Sequence, residues 1–117
     1  MFYRRKYYTV RSEFLETFNS LFESINLPNQ LKHGARLVGR WMMDNQDGTS
    51  EVFAIWEYDS YDDYVAIEKN VKSDEPHLQR IRDWYEQHGG RETVLSQYIL
   101  EVRNEEIKST VKSGRSK

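Results

Sequence analysis

The sequence predicts an α+β domain, an antiparallel four-stranded sheet with helices on one face, in a chain of 117 residues that fits one domain. Three observations predict it. Four runs are rich in aromatic and β-branched residues. The stretches between the first and second runs, and between the third and fourth, carry apolar residues at helical spacing. The middle two runs are joined through Asp47-Gly48, a hairpin signal because glycine accepts the positive φ such a turn needs.

Residues 2–10, FYRRKYYTV, read as the first strand. Ser12 is placed to cap the helix that follows. There Phe14, Leu15, Phe18, Leu21, Phe22 and Ile25 share one side, with Glu13, Glu16, Asn19 and Glu23 opposite. Pro28 stops or bends this helix, and a last turn runs to His33 with Gly34 as a left-handed terminator. ARLVGRWMMD (35–44) and EVFAIWEYD (51–59) are the second and third strands. Ser60, with Asp63 three residues on, opens a short helix to about Val71. Ser73-Asp74-Glu75-Pro76 opens another, with a cap, acids at the positive end of the dipole and proline in the first turn. It continues to His88 and ends at Gly89-Gly90. RETVLSQYILEVR (91–103) reads as the last strand. Asn104, Glu105 and Glu106 then open a small tail helix with Ile107 and Val111 on one side. The domain is thus 1–103 and the basic tail 104–117. The order β-α-β-β-α-β is the ferredoxin-like pattern.

Composition narrows the function classes. Apolar content of 38% and charged content of 31% describe a soluble globular chain. No stretch approaches the ~20 apolar residues of a membrane span. Three cations interrupt the apolar start, so no signal peptide is expected, and the expected location is cytoplasmic. Cysteine is absent, which excludes disulfides, thiol nucleophiles, iron–sulfur clusters and thiolate zinc sites. All nineteen acids fall in residues 1–107 against thirteen of the cations, a net charge of −6 there. So acidic a body argues against nucleic acid as a partner.

The strands are apolar on both sides. Val52, Ala54, Trp56 and Tyr58 alternate with Glu51, Phe53, Ile55 and Glu57. The helices of this fold cover one face only, which leaves the other bare in a monomer. Val38, Met42, Phe53, Ile55, Leu95 and Ile99 would form an apolar patch of several hundred Å2, more than soluble monomers usually show. The simplest cover is a second copy, sheet against sheet. The alternative is a monomer roofed by its own split helix and tail.

The stretches FYRRKYYTVRSEFLETF, KHGARLVGRW and SEVFAIWEYDSYDDY resemble the NIPSNAP family, within the superfamily of dimeric α+β barrels. The resemblance covers roughly residues 2–100. It is carried by His33-Gly34, by Leu37-Val38-Gly39 with Trp41, and by Trp56-x-Tyr58-x-Ser60, in that order. Lys6 and Tyr8 align where the family usually shows Arg-x-Tyr, and Tyr64 stands where an arginine often opens the helix after strand three. The resemblance implies the fold and a homodimer paired through its sheets. It implies no shared reaction. The wider superfamily includes cofactor-independent quinone-forming monooxygenases, haem-degrading enzymes, isomerases of small lactones and stress-response modules.

Trp41, Trp56, Tyr58 and Tyr98 are placed to wall an aromatic pocket between sheet and helices, suited to a flat organic ligand. The plain alternative is a dense core. Lys6, Arg5, Arg36 and Arg40 put cations on the first two strands. A cation there needs an acid such as Glu57 or a bound anion, and pairing with an acid is the plainer of the two. His77 and His88 share one helix but lie ~16 Å apart, too far for one metal. His33 reads as a helix-end residue. No metal site and no cofactor are expected. Haem-degrading relatives pair a histidine with a strand-three tryptophan and a strand-one asparagine; His77 and Trp56 fit two of those roles loosely, and strand one has no asparagine.

Three readings follow. The leading one is a homodimer that holds a small, mostly apolar or aromatic ligand between sheet and helices, through Lys6, Tyr8, Arg40, Trp41, Trp56, Tyr58 and Tyr98. The second is a cofactor-independent monooxygenase in which Trp56, Tyr58 and His77 orient an activated phenol and shuttle its proton. The third is an interaction module whose rings are only core.

Overall fold

The computed structural model describes residues 1–111. Strand β1 (Phe2–Arg11) leads through a 3-10 turn (Ser12–Phe14) into α1 (Leu15–Leu21), a π-helical turn (Phe22–Asn26) and α2 (Leu27–Lys32). The hairpin of β2 (Arg36–Asp44) and β3 (Thr49–Tyr58) follows, then α3 (Tyr61–Lys72), α4 (Glu75–Gln87), α5 (Arg91–Gln97) and β4 (Ile99–Ile107). The four strands form one antiparallel sheet in the order β2-β3-β1-β4, with β1 and β3 central. This is the ferredoxin-like α+β arrangement. Among the described residues, no helix is long and apolar enough to cross a membrane.

Local chemistry explains most element ends. Gly34 takes φ 103° at the end of α2, and Gly48 takes φ 88° in the β2–β3 turn. Ser60 Oγ accepts a hydrogen bond from the Asp63 amide at 3.1 Å, capping α3. Asp74, rather than Ser73, caps α4 by accepting from the His77 amide at 3.2 Å. Ser12 is not a side-chain cap; its hydroxyl lies 2.8 Å from that of Ser50. The first helix does not end at Pro28. Proline lacks an N–H and crowds the carbonyl four residues back, and the helix widens into a π turn at Phe22–Asn26 before resuming with Pro28 in its first turn.

The segment 91–103 differs from its reading as one strand. Residues Arg91–Gln97 form α5, and β4 runs from Ile99 to Ile107, past the expected domain boundary at 103. Val94, Leu95 and Tyr98 fit a helical stripe as well as an alternating one, and Val94 is fully buried. Asn104–Ile107 is therefore strand rather than the start of a tail helix. Its acids meet β1 in register, Glu105 opposite Arg5 and Glu106 opposite Arg4. Residues 112–117 of the expected tail lie outside the described residues.

A register shift between Leu37 and Gly39 re-aims β2. Leu37 pairs with Trp56 and Arg40 with Ala54, so both share the helix-covered face, while Trp41 pairs with Phe53 on the open one. The expected apolar patch is corrected accordingly. Met42 pairs with Val52 on the helix side, Ile99 is buried in the core, and Leu95 sits on α5, packed against that core. Phe53 and Ile55 remain on the open face, joined by Trp41 and Met43, and Val38 is exposed at the shift. Toward β4 the open face is charged, with Arg5 bridged to Glu105 at 2.9 Å and Arg103 to Glu101 at 3.1 Å.

The covered face holds two core clusters. One gathers Val10, Phe14, Phe18, Leu21, Val52, Trp84, Val94 and Ile99. The other gathers Phe2, Ala35, Ala54, Trp56 and Tyr58. Along β1 this face reads Phe2, Arg4, Lys6, Tyr8, Val10, apolar at both ends and polar between. The site lies in that interval.

Candidate functional site

Ala54 stands at the centre of the sheet, paired with Lys6 of β1 on one side and Arg40 of β2 on the other. Residues in direct register point to the same face. Its methyl leaves room that the flanking long side chains rise around. The result is a cavity of about 160 Å3 lined by Lys6, Tyr8, Phe18, Phe22, Asn26, Gln30, Arg40, Ala54 and Trp56. The π-helical turn supplies Phe22 and Asn26, and α2 supplies Gln30.

Arg40 is held in a defined pose. Its guanidinium lies 4.3 Å from the ring centre of Phe22 and 5.4 Å from that of Phe18. Nη1 donates to Asn19 Oδ1 at 2.8 Å, whereas Nη2 is buried with no partner among the described residues. Gln30 Oε1 is likewise buried and unpartnered. Burial lowers the Lys6 pKa, with Lys72 and Arg4 adding to the effect and Glu68 opposing it. Burial also lowers the Arg40 pKa and raises that of the Tyr8 phenol.

A larger, more apolar hollow of about 540 Å3 adjoins this cavity and shares Tyr8, Phe18 and Asn26 with it. Leu78, Ile81, Trp84, Leu95 and His77 are among its other walls. His77 is buried, its Nδ1 has no partner among the described residues, and burial holds its pKa below the ordinary histidine value. Burial thus favours its uncharged imidazole form.

The structure brings Lys6, Tyr8, Arg40 and Trp56 together, with His77 in the adjoining hollow. It does not bring the other expected rings to them. Trp41 is on the opposite face of the sheet, its ring 5.6 Å from Phe53. Tyr58 packs with Tyr64 and Phe2 at the far end of β3. Tyr98 stacks on Phe14 at 4.5 Å, beside a separate surface hollow with Glu13, Thr17 and His88. Trp56 lines the smaller of the two adjoining spaces, His77 the larger, and Tyr58 neither. His33 is the C-cap residue of α2, as expected of a helix-end residue, and its ring bonds Asp74. Sequence reasoning passed over Phe22, Asn26, Gln30 and Ala54. Only Ala54 left a signal, as the smallest side chain on a face otherwise built from Val52, Trp56 and Tyr58.

Chemically, the cavity offers two cations, a phenol and two amide heads inside aromatic walls. That equips it to bind and orient a small organic molecule. Among the described residues, no three His, Asp or Glu side chains gather in a way that would hold a metal ion.

The NIPSNAP family model matches residues 3–84. No curated protein matches the chain. Among solved structures, Atu4242 from Agrobacterium tumefaciens is similar, with 19% identity, 97% of this chain and 98% of its own covered, and a TM-score of 0.73. The NIPSNAP family protein Atu5224 from the same organism has 19% identity, covers 97% and 96%, and has a TM-score of 0.72. An uncharacterised NIPSNAP domain protein from Burkholderia xenovorans has 20% identity, covers 94% and 95%, and has a TM-score of 0.68. At these identities the likeness speaks for the fold alone.

Proposed function

Because this chain belongs to the NIPSNAP family, whose fold fixes no reaction, we propose that it is a small-molecule-binding protein that works as a homodimer. The ligand is a small apolar or aromatic organic molecule, held between sheet and helices. One observation carries this reading: a walled cavity over Ala54, containing buried polar groups without partners, opens beside a larger apolar hollow. A core built only for stability would fill such space, since interiors are close-packed and unpaired buried polar atoms destabilise.

The homodimer forms through the open face. Trp41 is 48% exposed and Met43 56% exposed, and they flank Phe53 and Ile55. Burying such a stripe against a copy of itself removes apolar area from both chains. The location of the working protein is cytoplasmic.

The test is titration with 1-naphthol, followed by the fluorescence of Trp56 in a variant carrying Trp41→Phe and Trp84→Phe. Saturable change at micromolar to millimolar ligand is expected. No change with 1-naphthol, indole or 4-nitrophenol would leave the interaction module as the better account.

A further inference from the structure

We propose that the cavity over Ala54 is an anion site, which takes the carboxylate of an aromatic or short acyl acid between Lys6 and Arg40 while the apolar body of that acid extends into the adjoining hollow. This rests on reading the cavity as a ligand pocket and deepens that reading.

The first argument is geometric. Lys6 and Arg40 flank one residue across the sheet, and neighbouring strands lie ~4.8 Å apart, so their Cα atoms are ~10 Å apart. Both side chains line the small cavity over the Ala54 methyl, which has room for one small group. The second concerns what each cation already has. Arg5, Arg36 and Arg103 each pair with a carboxylate. Lys6 and Arg40 take no part in the ion pairs formed among the described residues. This happens in a body with a surplus of acids, where partners for two cations are not scarce.

The third argument is orientation. The Arg40 guanidinium lies against the rings of Phe22 and Phe18, and Nη1 is committed to Asn19. Nη2 is buried and without an acceptor among the described residues. A planar fork with an unused donor recognises a carboxylate oxygen. A bound carboxylate would neutralise two desolvated cations at once.

The fourth argument concerns the rest of the ligand. Tyr8 and Phe18 belong to both spaces, and the larger one continues past Ile81 and Trp84. A charged head in the small cavity therefore has an apolar path for its body.

The experiment uses matched pairs on the full chain: 1-naphthoate against 1-naphthamide, and benzoate against benzamide, by calorimetry at pH 7. Each pair differs in charge and little in shape. The acids are expected to bind at least about tenfold tighter than the amides, the range of a charge-assisted hydrogen bond. Lys6→Met and Arg40→Met should each weaken 1-naphthoate by about 10- to 100-fold and leave 1-naphthamide within about threefold. Lys6→Arg and Arg40→Lys keep the charge and should keep the preference, which covers the case where a methionine variant fails to fold. Equal affinity of acid and amide for the wild-type chain would overturn the anion site and leave the pocket standing. Binding of neither would overturn both.

Discussion

His33 Nε2 lies 2.7 Å from Asp74 Oδ2, a contact that ties the end of α2 to the start of α4 across 41 positions of chain. Lys32 Nζ reaches the same oxygen at 3.0 Å, and the other oxygen accepts from the His77 amide. One carboxylate therefore caps a helix and anchors its neighbour. His77 follows in the first turn of that helix, so this anchor also sets one wall of the apolar hollow.

These bonds, led by His33 and then Lys32, hold the Asp74 carboxyl well below the usual carboxylate range. A folded-state pKa below the unfolded value of about 3.9 contributes stability that is present above pH ~4 and lost as pH falls below it. Asp74→Asn should lower Tm by about 4–8 °C at pH 7, as expected for loss of the charged acceptor shared by His33 and Lys32, since asparagine can still cap the helix. The gap to wild type should close as the pH is taken from 5 to 2. Thermal melts by circular dichroism across that range check both statements.

Lys6 gives a prediction of the opposite sign. Its pKa is lowered by burial, so below that value the folded chain holds a desolvated ammonium that the unfolded chain leaves in water. Unfolded protein binds the extra proton between the two pKa values, and stability rises with pH through that window up to about 10.4. Lys6→Met should therefore stabilise the ligand-free protein at pH 7, by about 0.5–2 kcal/mol. Its advantage should narrow toward pH 10. Denaturant melts at pH 7 and pH 10 measure this directly. A group kept at a site where it destabilises the fold is what a binding role predicts.

Ala54→Leu tests the cavity itself. Ala54 is 3% exposed, and a leucine there projects between Lys6 and Arg40 into a space of about 160 Å3. The expected cost in stability is that of overpacking, about 1–3 kcal/mol at most. Binding of 1-naphthol should fall at least about tenfold, since loss of that volume displaces the ligand's ring and its dispersion contacts. Fluorescence titration alongside a melting curve separates lost binding from lost fold.

The order of elements was legible because period, caps and turn residues agreed: Ser60 with Asp63, Pro76 in a first turn, Gly34 and Gly48 at positive φ. The last strand was misplaced because Val94, Leu95 and Tyr98 satisfy both periodicities, and burial behind Gly89-Gly90 selected the helix. The faces of β2 were misassigned for a different reason. An alternating pattern inverts at a one-residue shift, and nothing in Leu37-Val38-Gly39 announces the shift to a reader of sequence alone. That inversion placed Trp41 outside the pocket. The polar interval Arg4-Lys6-Tyr8 between Phe2 and Val10 was visible in the sequence, yet the spacing of the helix that roofs it depends on the π turn before Pro28.

Trp41 now serves as the probe of assembly. Its ring packs against Phe53 on the open face, and Ile55 and Met43 extend the apolar stripe beside it. A charge at its centre would be desolvated twice in a sheet-to-sheet dimer, once for each copy. In a monomer the same charge would sit in water at little cost. Trp41→Glu should therefore convert a dimer into a monomer while changing the stability of the isolated chain by no more than about 0.5 kcal/mol, the range of surface substitutions. Light scattering at micromolar concentration should give twice the chain mass for wild type and the single-chain mass for the variant. A wild-type chain that already runs as a monomer at that concentration would remove the open face as an interface and leave the pocket argument untouched, because no residue lining the cavity over Ala54 lies on that face.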